Sequence, residues 1–171
     1  MQKLIGILCL TFFSFNLNPD YLEWSAKTPL KFSDFKGVAP KKSSSKVNLA
    51  TLISYETRQV QGQPPQVTVY NRVDRSTSWI TLKKQEVLDI QQIHFNTSEL
   101  YARKIRKEIK ELNAKKVVDK EKYKVVVLKH TSTLHKIQRS KKVLLEDQPH
   151  LIRLWDKQIK DSLQIFKDFA K

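Results

Sequence analysis

The sequence predicts an α+β protein: a small antiparallel sheet in the N-terminal half, then one long helix and two further helices. Two patterns predict this order. Residues 48–82 alternate between apolar and polar side chains, which is typical of half-buried strands. From about residue 84 the apolar side chains recur every three or four residues, which indicates amphipathic helices. At 171 residues the chain has the length of one domain, and we assign residues 20–171 to it.

Three strands are expected in the first half of the chain. Residues 48–60 and 66–75 alternate in the manner of paired strands. The segment between them contains two prolines, which cannot donate to a central ladder, so we expect a hairpin loop at residues 61–65. Residues 76–82 form a third short strand, and residues 41–46 read as a polar loop.

Three helices are expected in the second half. No glycine or proline interrupts residues 86–112, and their apolar side chains form one stripe. Residues 120–145 carry a similar stripe, although the β-branched run within residues 122–128 would by itself favour a strand. The helical interpretation is preferred there. For the last helix, Asp147 is a suitable N-cap and Pro149 falls in the first turn.

The N-terminus is expected to direct export. Residues 4–15 are almost entirely apolar and follow a lysine, a pattern typical of a signal peptide and too short to span a membrane as a helix. We assign residues 1–18 to the signal peptide, with cleavage between about residues 14 and 20. A buried N-terminal core segment is the alternative. Export predicts a periplasmic or secreted protein with no transmembrane span after cleavage. Cys9, the only cysteine, would leave with the signal, so disulfides and thiolate metal ligands are excluded.

The net charge of +15 raises the question of a polyanionic partner. The chain has only three glycines, no glycine-rich nucleotide loop and no recognised nucleic-acid-binding motif. No specific nucleic-acid partner is therefore predicted. The lysines recur around the apolar stripes of the helices, as on a solvated surface. For an exported protein, the alternative is binding to an anionic membrane surface or envelope polymer.

The helix at residues 86–112 contains part of a catalytic pattern. A zinc hydrolase helix carries two histidines four residues apart, and a glutamate after the first histidine acts as general base. His94 can take the place of the second histidine. Ile90 stands where the first would be, and Gln91 stands where the glutamate would be. Isoleucine offers no lone pair, and an amide does not accept a proton near neutral pH.

Three segments appear in the order of a known bacterial pattern: "LKFSDFKG" at residues 30–37, "STSWI" at 76–80 and "VLDIQQIHFNTSELYAR" at 87–103. Together they resemble the secreted family catalogued as domain of unknown function 922. Its pattern includes a "D-F-x-G" segment, an "S-W" strand and a helix with "H-E-Q-x-H-F". The resemblance covers about half of the chain and implies a zincin-like fold. It also implies structural roles for five matching residues: Phe35, Trp79, Phe95, Glu99 and Arg103.

The resemblance and the two departures together predict an exported cell-envelope protein with a zincin-like domain that has lost catalysis. It would bind or scaffold an envelope protein or polymer and need no cofactor. His94 would be a remnant metal ligand, and His130 is the residue that could face it across a second helix. Glu99 is expected to pair with Arg103 on the helix surface. Two alternatives remain open: an active zinc metallohydrolase with a rearranged site, and a polyanion-binding module that uses the basic helices.

Overall fold

The structure is a computed structural model that describes residues 20–145 and 149–171, with side chains described for residues 20–140 and 150–171. It is an α+β protein, as the sequence predicts. The predicted signal peptide and the Asp147 N-cap lie outside the described residues. Five strands precede three helices: β1 Tyr21–Glu23, β2 Val47–Asn48, β3 Thr51–Arg58, β4 Gln66–Asp74, β5 Trp79–Ile80, α1 Gln85–Ala114, α2 Lys120–Leu145 and α3 Pro149–Ile165.

The strands form two antiparallel groups. β4 lies between β1 and β3 in a three-stranded sheet, and β2 pairs with β5. The hairpin of β3 and β4 is in register from Thr51 opposite Val73 to Arg58 opposite Gln66. The predicted third strand therefore exists only as two residues, Trp79 and Ile80, and it does not join the hairpin. The three-residue strand β1 escaped prediction because it is too short to show an alternation.

The long helix α1 organises the molecule because one of its faces packs on the sheet while others pack on α2 and α3. Two residues after α1 ends, Lys116 adopts a left-handed backbone conformation, with φ of 54°. The backbone N–H groups of Lys116 and Val117 there donate to the carbonyls of Asn113 and Leu112, which satisfies two helix-end carbonyls. The helix interpretation of residues 122–128 is confirmed, since this run lies inside α2.

Buried apolar side chains form three clusters along α1. The first joins β4, α1 and α2 and includes Val69, Ile105 and Tyr123. The second joins α1 and α3 through Ile93, Leu100, Trp155 and Ile159, with Ile90 packed at its edge. The third lies under the segment before β2 and contains Leu30, Val73, Leu88 and Phe95, with Phe35 packed against it. Each cluster contains a different set of α1 side chains, so α1 contributes to all three.

Candidate functional site

The three sequence segments that carry the resemblance meet in space. Gly37 donates a backbone hydrogen bond to the carbonyl of Ser78 at 2.7 Å. A Cβ atom at Gly37 would lie 2.7 Å from the carbonyl oxygen of Ser76 and 2.9 Å from that of Ser78, so only glycine fits. The backbone N–H of Leu30 donates to Gln92 Oε1 at 2.7 Å. The "LKFSDFKG" segment is thus hydrogen-bonded through Gly37 to the "STSWI" segment and through Leu30 to α1.

The aromatic residues of the resemblance stabilise this arrangement. Phe35 and Phe95 belong to the same apolar cluster, in which Phe95 is fully buried. Trp79 is also buried, and its position pairs with Asn48 in the two-stranded ladder. Phe95 and Trp79 therefore lie in the supporting core, and Phe35 packs at its edge, partly buried.

Buried polar side chains fix the position of α1 on the sheet. Asn71 of β4 accepts a hydrogen bond from Ser98 Oγ at 2.8 Å and donates one to the Phe95 carbonyl at 3.4 Å. Trp24 Nε1 donates to Asn96 Oδ1 at 2.9 Å. Because these contacts are directional, they set the rotation and the height of α1 relative to β4.

The expected pair of Glu99 and Arg103 exists, but its predicted place on the helix surface is wrong. Glu99 is only 2% exposed. Its Oε1 accepts hydrogen bonds from Arg103 Nε at 3.1 Å and from Arg106 Nη1 at 2.9 Å. The two guanidinium groups also donate to the carbonyls of Leu163 and Phe169. The sequence pattern could not show this burial, because it comes from the C-terminal segment folding back over α1.

The α1 positions that the sequence analysis compares with a zinc hydrolase helix line an open cavity of about 750 Å³, which we call the α1–α2 pocket. Its walls come from α1, from the second half of α2 and from the segment around β2. Ile90, Gln91 and His94 lie along its α1 side. Further lining residues include Lys46, Leu49, Leu82, Val87, His135, Gln138 and Arg139. The volume falls in the range of pockets that hold small molecules.

Gln91 occupies a distinctive position in this pocket. It is only 8% exposed, yet it lines the cavity. The amides of Gln85 and Gln92 on the same helix donate to side chains one turn ahead, at Asp89 and Asn96. Within the part of the chain that the structure describes, the Gln91 amide has no such partner. Among the described residues, the buried side-chain polar atom without a hydrogen-bond partner is Ser54 Oγ, so the Gln91 amide is accessible from the cavity.

The two histidines proposed as metal ligands lie in different surroundings. His94 lines the pocket, and its ring meets the edge of Trp155 with centroids 5.0 Å apart. His130 is 8% exposed; its Nε2 lies 2.8 Å from Glu108 Oε1, and its ring contacts Tyr101. Since Tyr101 is two turns beyond His94 on α1, the structure does not bring His94 and His130 together.

The two α1 positions compared with the first histidine and the glutamate of a zinc hydrolase helix supply no zinc ligand. Of the positions that would bind metal and move protons, Ile90 has no donor atom and Gln91 presents a neutral amide. Glu99 cannot substitute, since both arginines hold its carboxylate. Among the described residues no group of three or more histidine, cysteine, aspartate or glutamate side chains is placed to hold a metal ion.

Sequence reasoning missed the α2 side of the pocket. His135, Gln138 and Arg139 face the α1 positions, and Gln138 Nε2 reaches Thr51 Oγ1 at 3.4 Å. These residues look like ordinary solvated positions in the sequence. Only the crossing of α2 over α1 places them opposite Ile90 and Gln91, and no local pattern encodes that crossing.

Outside the pocket, Glu108 on α1 takes part in an ion cluster with α2. Burial acts to raise the pKa of Glu108, but hydrogen bonds from Lys129 and His130 outweigh it and leave the pKa below its usual value. Lys129 Nζ approaches both carboxylate oxygens, at 2.8 and 3.0 Å. This ion cluster joins α1 to α2, and none of its residues lines the pocket, so its role is structural.

Comparison with known proteins found no matching family model, no matching curated protein and no matching solved structure. The resemblance to the zincin-like family therefore stays a prediction from the three segments. Within residues 20–145 and 149–171, none of the helices has the length and apolar character needed to cross a membrane.

Proposed function

We propose that this chain is an exported, zincin-like protein of the cell envelope that binds a ligand or partner and does not catalyse hydrolysis. The observation that carries the proposal is the lining of the α1–α2 pocket. Ile90 and Gln91 stand in it at the two positions where a zinc hydrolase needs a ligand and a base, beside His94. The pocket nevertheless remains open, at about 750 Å³. A cavity that lacks this ligand and this base, and is not filled by side chains, supports a binding role.

Export rests on the sequence of residues 1–18 and is tested separately. Expression of the full chain in a bacterium should yield a shortened protein in the periplasm or the medium, and N-terminal sequencing should place the cut between about residues 14 and 20. A protein retained at full length in the cytoplasm would refute this part of the proposal.

Loss of catalysis is tested on the mature protein. After equilibration with zinc and removal of free ions, metal analysis should find far less than one ion per chain, and a mixture of peptide substrates should remain uncleaved. A tightly held ion at one per chain, with peptide hydrolysis that His94→Ala abolishes, would establish the alternative of a working metallohydrolase.

The binding role is tested by filling the pocket. Small fragments that bind the mature protein should perturb the amide resonances of α1–α2 pocket residues. Ile90→Trp should abolish those shifts, because the larger ring occupies the cavity. The matched control is Val125→Trp, since Val125 is 61% exposed on α2 and is absent from the pocket lining. Fragment binding that survives Ile90→Trp would place the binding site elsewhere.

A further inference from the structure

We infer that the end of the molecule formed by the β3–β4 hairpin and the start of α2 docks on an anionic lipid bilayer. We call this end the basic tip surface, and it comprises the exposed side chains of residues 58–60 and 115–128. None of these residues lines the α1–α2 pocket. The inference therefore goes beyond the proposed function and does not depend on it.

Two loops meet at the basic tip surface. The β3–β4 hairpin turns at residues 59–65, and the turn between α1 and α2 covers residues 115–119. The side-chain amide of Gln59 joins the two loops, because its Nε2 donates to the carbonyl of Gln63 at 3.0 Å and to the carbonyl of Val118 at 2.7 Å. The side chains of both loops therefore belong to one surface.

Exposed aliphatic side chains cluster at this surface. Val60 in the hairpin is 72% exposed, and Val118 in the second loop is also exposed. Val125 and Leu128 follow on α2, three residues apart and therefore on one face of the helix. That face points away from the core, since Tyr123 on the opposite side of α2 is buried. Aliphatic side chains that cluster in this way indicate a contact surface, whereas single exposed ones do not.

The basic tip surface also carries positive charge that is free to attract a partner. Its acidic side chains are already engaged: Glu121 pairs with Lys124, and Asp119 Oδ1 accepts a hydrogen bond from the backbone N–H of Glu121 at the start of α2. Five exposed cations form no ion pair with any residue that the structure describes: Arg58, Lys115, Lys116, Lys120 and Lys122. This excess of positive charge is complementary to an anionic bilayer.

Lys116 occupies a position that favours glycine. Its φ of 54° is the left-handed conformation that commonly follows a helix C-terminus. Glycine adopts this conformation without the steric cost of a Cβ atom. The structural task there belongs to the backbone, because the N–H of Lys116 donates to the carbonyl of Asn113. The lysine side chain adds a charge at the tip, which supports contact with an anion.

A bilayer suits this surface better than a soluble polyanion does. Peripheral membrane contacts combine aliphatic side chains, which enter the headgroup region, with cations that attract the charged headgroups. On α2, Val125 and Leu128 lie among three exposed lysines, at positions 122, 124 and 129. A polyanion in solution would contact the cations and leave the aliphatic side chains in water.

The experiment measures sedimentation of the protein with vesicles of phosphatidylcholine, with and without about one-third phosphatidylglycerol. We expect binding only to the anionic vesicles, and weaker binding as the salt concentration rises. All variants are purified in the same way, so residues 4–15 contribute equally wherever they are retained. Circular dichroism and thermal unfolding check that each variant is folded.

Lys116→Gly tests the charges. It should weaken binding to anionic vesicles about fivefold, as expected for one basic residue near an anionic surface. It should unfold at the same or a higher temperature than the parent chain, because glycine fits the left-handed conformation. Lys83→Gln is the control, since Lys83 is exposed just before the 30-residue helix α1 and lies about 45 Å from Lys115 along its axis. Equal weakening by both variants would overturn the location of the surface.

Leu128→Ser tests the aliphatic side chains. It should weaken binding to anionic vesicles roughly threefold, because part of the leucine leaves water at the bilayer interface. Leu154→Ser on α3 is the matched control and should bind like the parent chain, since Leu154 is 52% exposed and Leu128 is 57% exposed. Binding that depends on Lys116 but not on Leu128 would overturn the bilayer as the partner and favour a soluble polyanion.

The outcomes separate this inference from the proposed function. Absence of binding to anionic vesicles would overturn the inference and leave fragment binding in the α1–α2 pocket intact, because that binding is measured without lipid. Loss of pocket binding, with vesicle binding retained, would overturn the proposed function alone.

Discussion

Arg106 Nη1 lies 2.9 Å from Glu99 Oε1, and the same guanidinium group donates to the carbonyls of Val69 and Phe169. One arginine on α1 thus contacts the helix's own carboxylate, the central strand and the C-terminal turn. Glu99 also binds Arg103, so a single buried carboxylate balances one buried and one partly buried cation. Both guanidinium groups also donate to backbone carbonyls, and such additional hydrogen bonds help buried charges to be tolerated.

The first prediction concerns this ion cluster. Glu99→Gln keeps the size of the side chain and removes its charge, leaving two arginines without a buried anion. We expect the free energy of unfolding to fall by about 3 kcal/mol, as for other buried pairs that lose one partner. Urea denaturation of the mature protein measures it. Glu111→Gln is the control because its pair with Lys107 is exposed, and a cost of at most about 0.5 kcal/mol is expected there. Equal costs would contradict the buried role of Glu99.

The second prediction concerns the tight contact at Gly37. In Gly37→Ala the new methyl group would lie 2.7 and 2.9 Å from two backbone oxygens, so the "DFKG" and "STSWI" segments must separate. We expect a loss of about 2 kcal/mol in thermal or urea unfolding. Gly62→Ala serves for comparison. Its Cβ has open space, so its cost of about 1 kcal/mol would come from the positive φ alone. A neutral Gly37→Ala would mean that the two segments are not in contact.

The third prediction concerns pH and Glu108. Its pKa in the folded protein is depressed, so its ion pair with Lys129 and its hydrogen bond with His130 contribute stability above its unfolded pKa of about 4.3. That contribution is lost as the pH falls through the depressed folded value. Glu108→Gln should therefore lower stability by roughly 1 kcal/mol at pH 7 and by progressively less below about pH 4. Unfolding curves of both proteins between neutral and acidic pH measure the difference. A difference that stays constant across this range would contradict the assignment.

The fourth prediction tests the zincin-like interpretation of α1. Ile90→His together with Gln91→Glu would place a second histidine and a glutamate beside His94 on the same cavity wall. If α1 keeps the frame of a metallohydrolase helix, the double variant should bind zinc at least tenfold more tightly than the parent chain. Titration calorimetry or a competing chelator measures this. Addition of His94→Ala should cancel the gain. No gain in the double variant would show that the pattern is a coincidence of sequence.

The fifth prediction concerns the net charge of +15. If the basic helices bind a polyanion, heparin affinity should fall linearly on a log–log plot against salt concentration, with several counterions released. Lys122→Gln and Lys136→Gln remove exposed α2 charges and should reduce that slope by about one each. A flat salt dependence would leave these lysines as ordinary solvated surface.

Much of the fold could be predicted from the spacing of apolar residues, because its strands and helices depend on local sequence patterns. The β3–β4 hairpin follows from alternation on both sides of a proline-containing loop. The helical assignment of residues 122–128 succeeded because Tyr123 and Val127 continue a stripe that Leu134 extends, and packing on α1 outweighs the β-branched preference of the run. The strand predicted at residues 76–82 was too long, because its pairing partner, β2, has only two residues.

About half of the candidate site could be predicted from the sequence. Ile90, Gln91 and His94 lie within five residues of one another, so a single helical pattern contained them. His135 and Arg139 lie more than forty positions further along the chain and reach the pocket through the crossing of two helices. The burial of Glu99 likewise depends on Leu163 and Phe169. Contacts of that kind have no local signature, and a single sequence does not reveal them.

The separation between Arg106 and Phe169 has a consequence for how the protein folds. Their contact spans 63 positions, and the Arg103 contact with Leu163 spans 60. During synthesis α1 leaves the ribosome before the residues that carry these carbonyls are made. Arg103 and Arg106 are therefore exposed to solvent until the C-terminal segment has been synthesised. Non-local contacts of this length lower the folding rate, because a long loop must close before they form. Packing of the C-terminal segment on α1 should therefore occur late, after synthesis. This order is compatible with export of an unfolded chain.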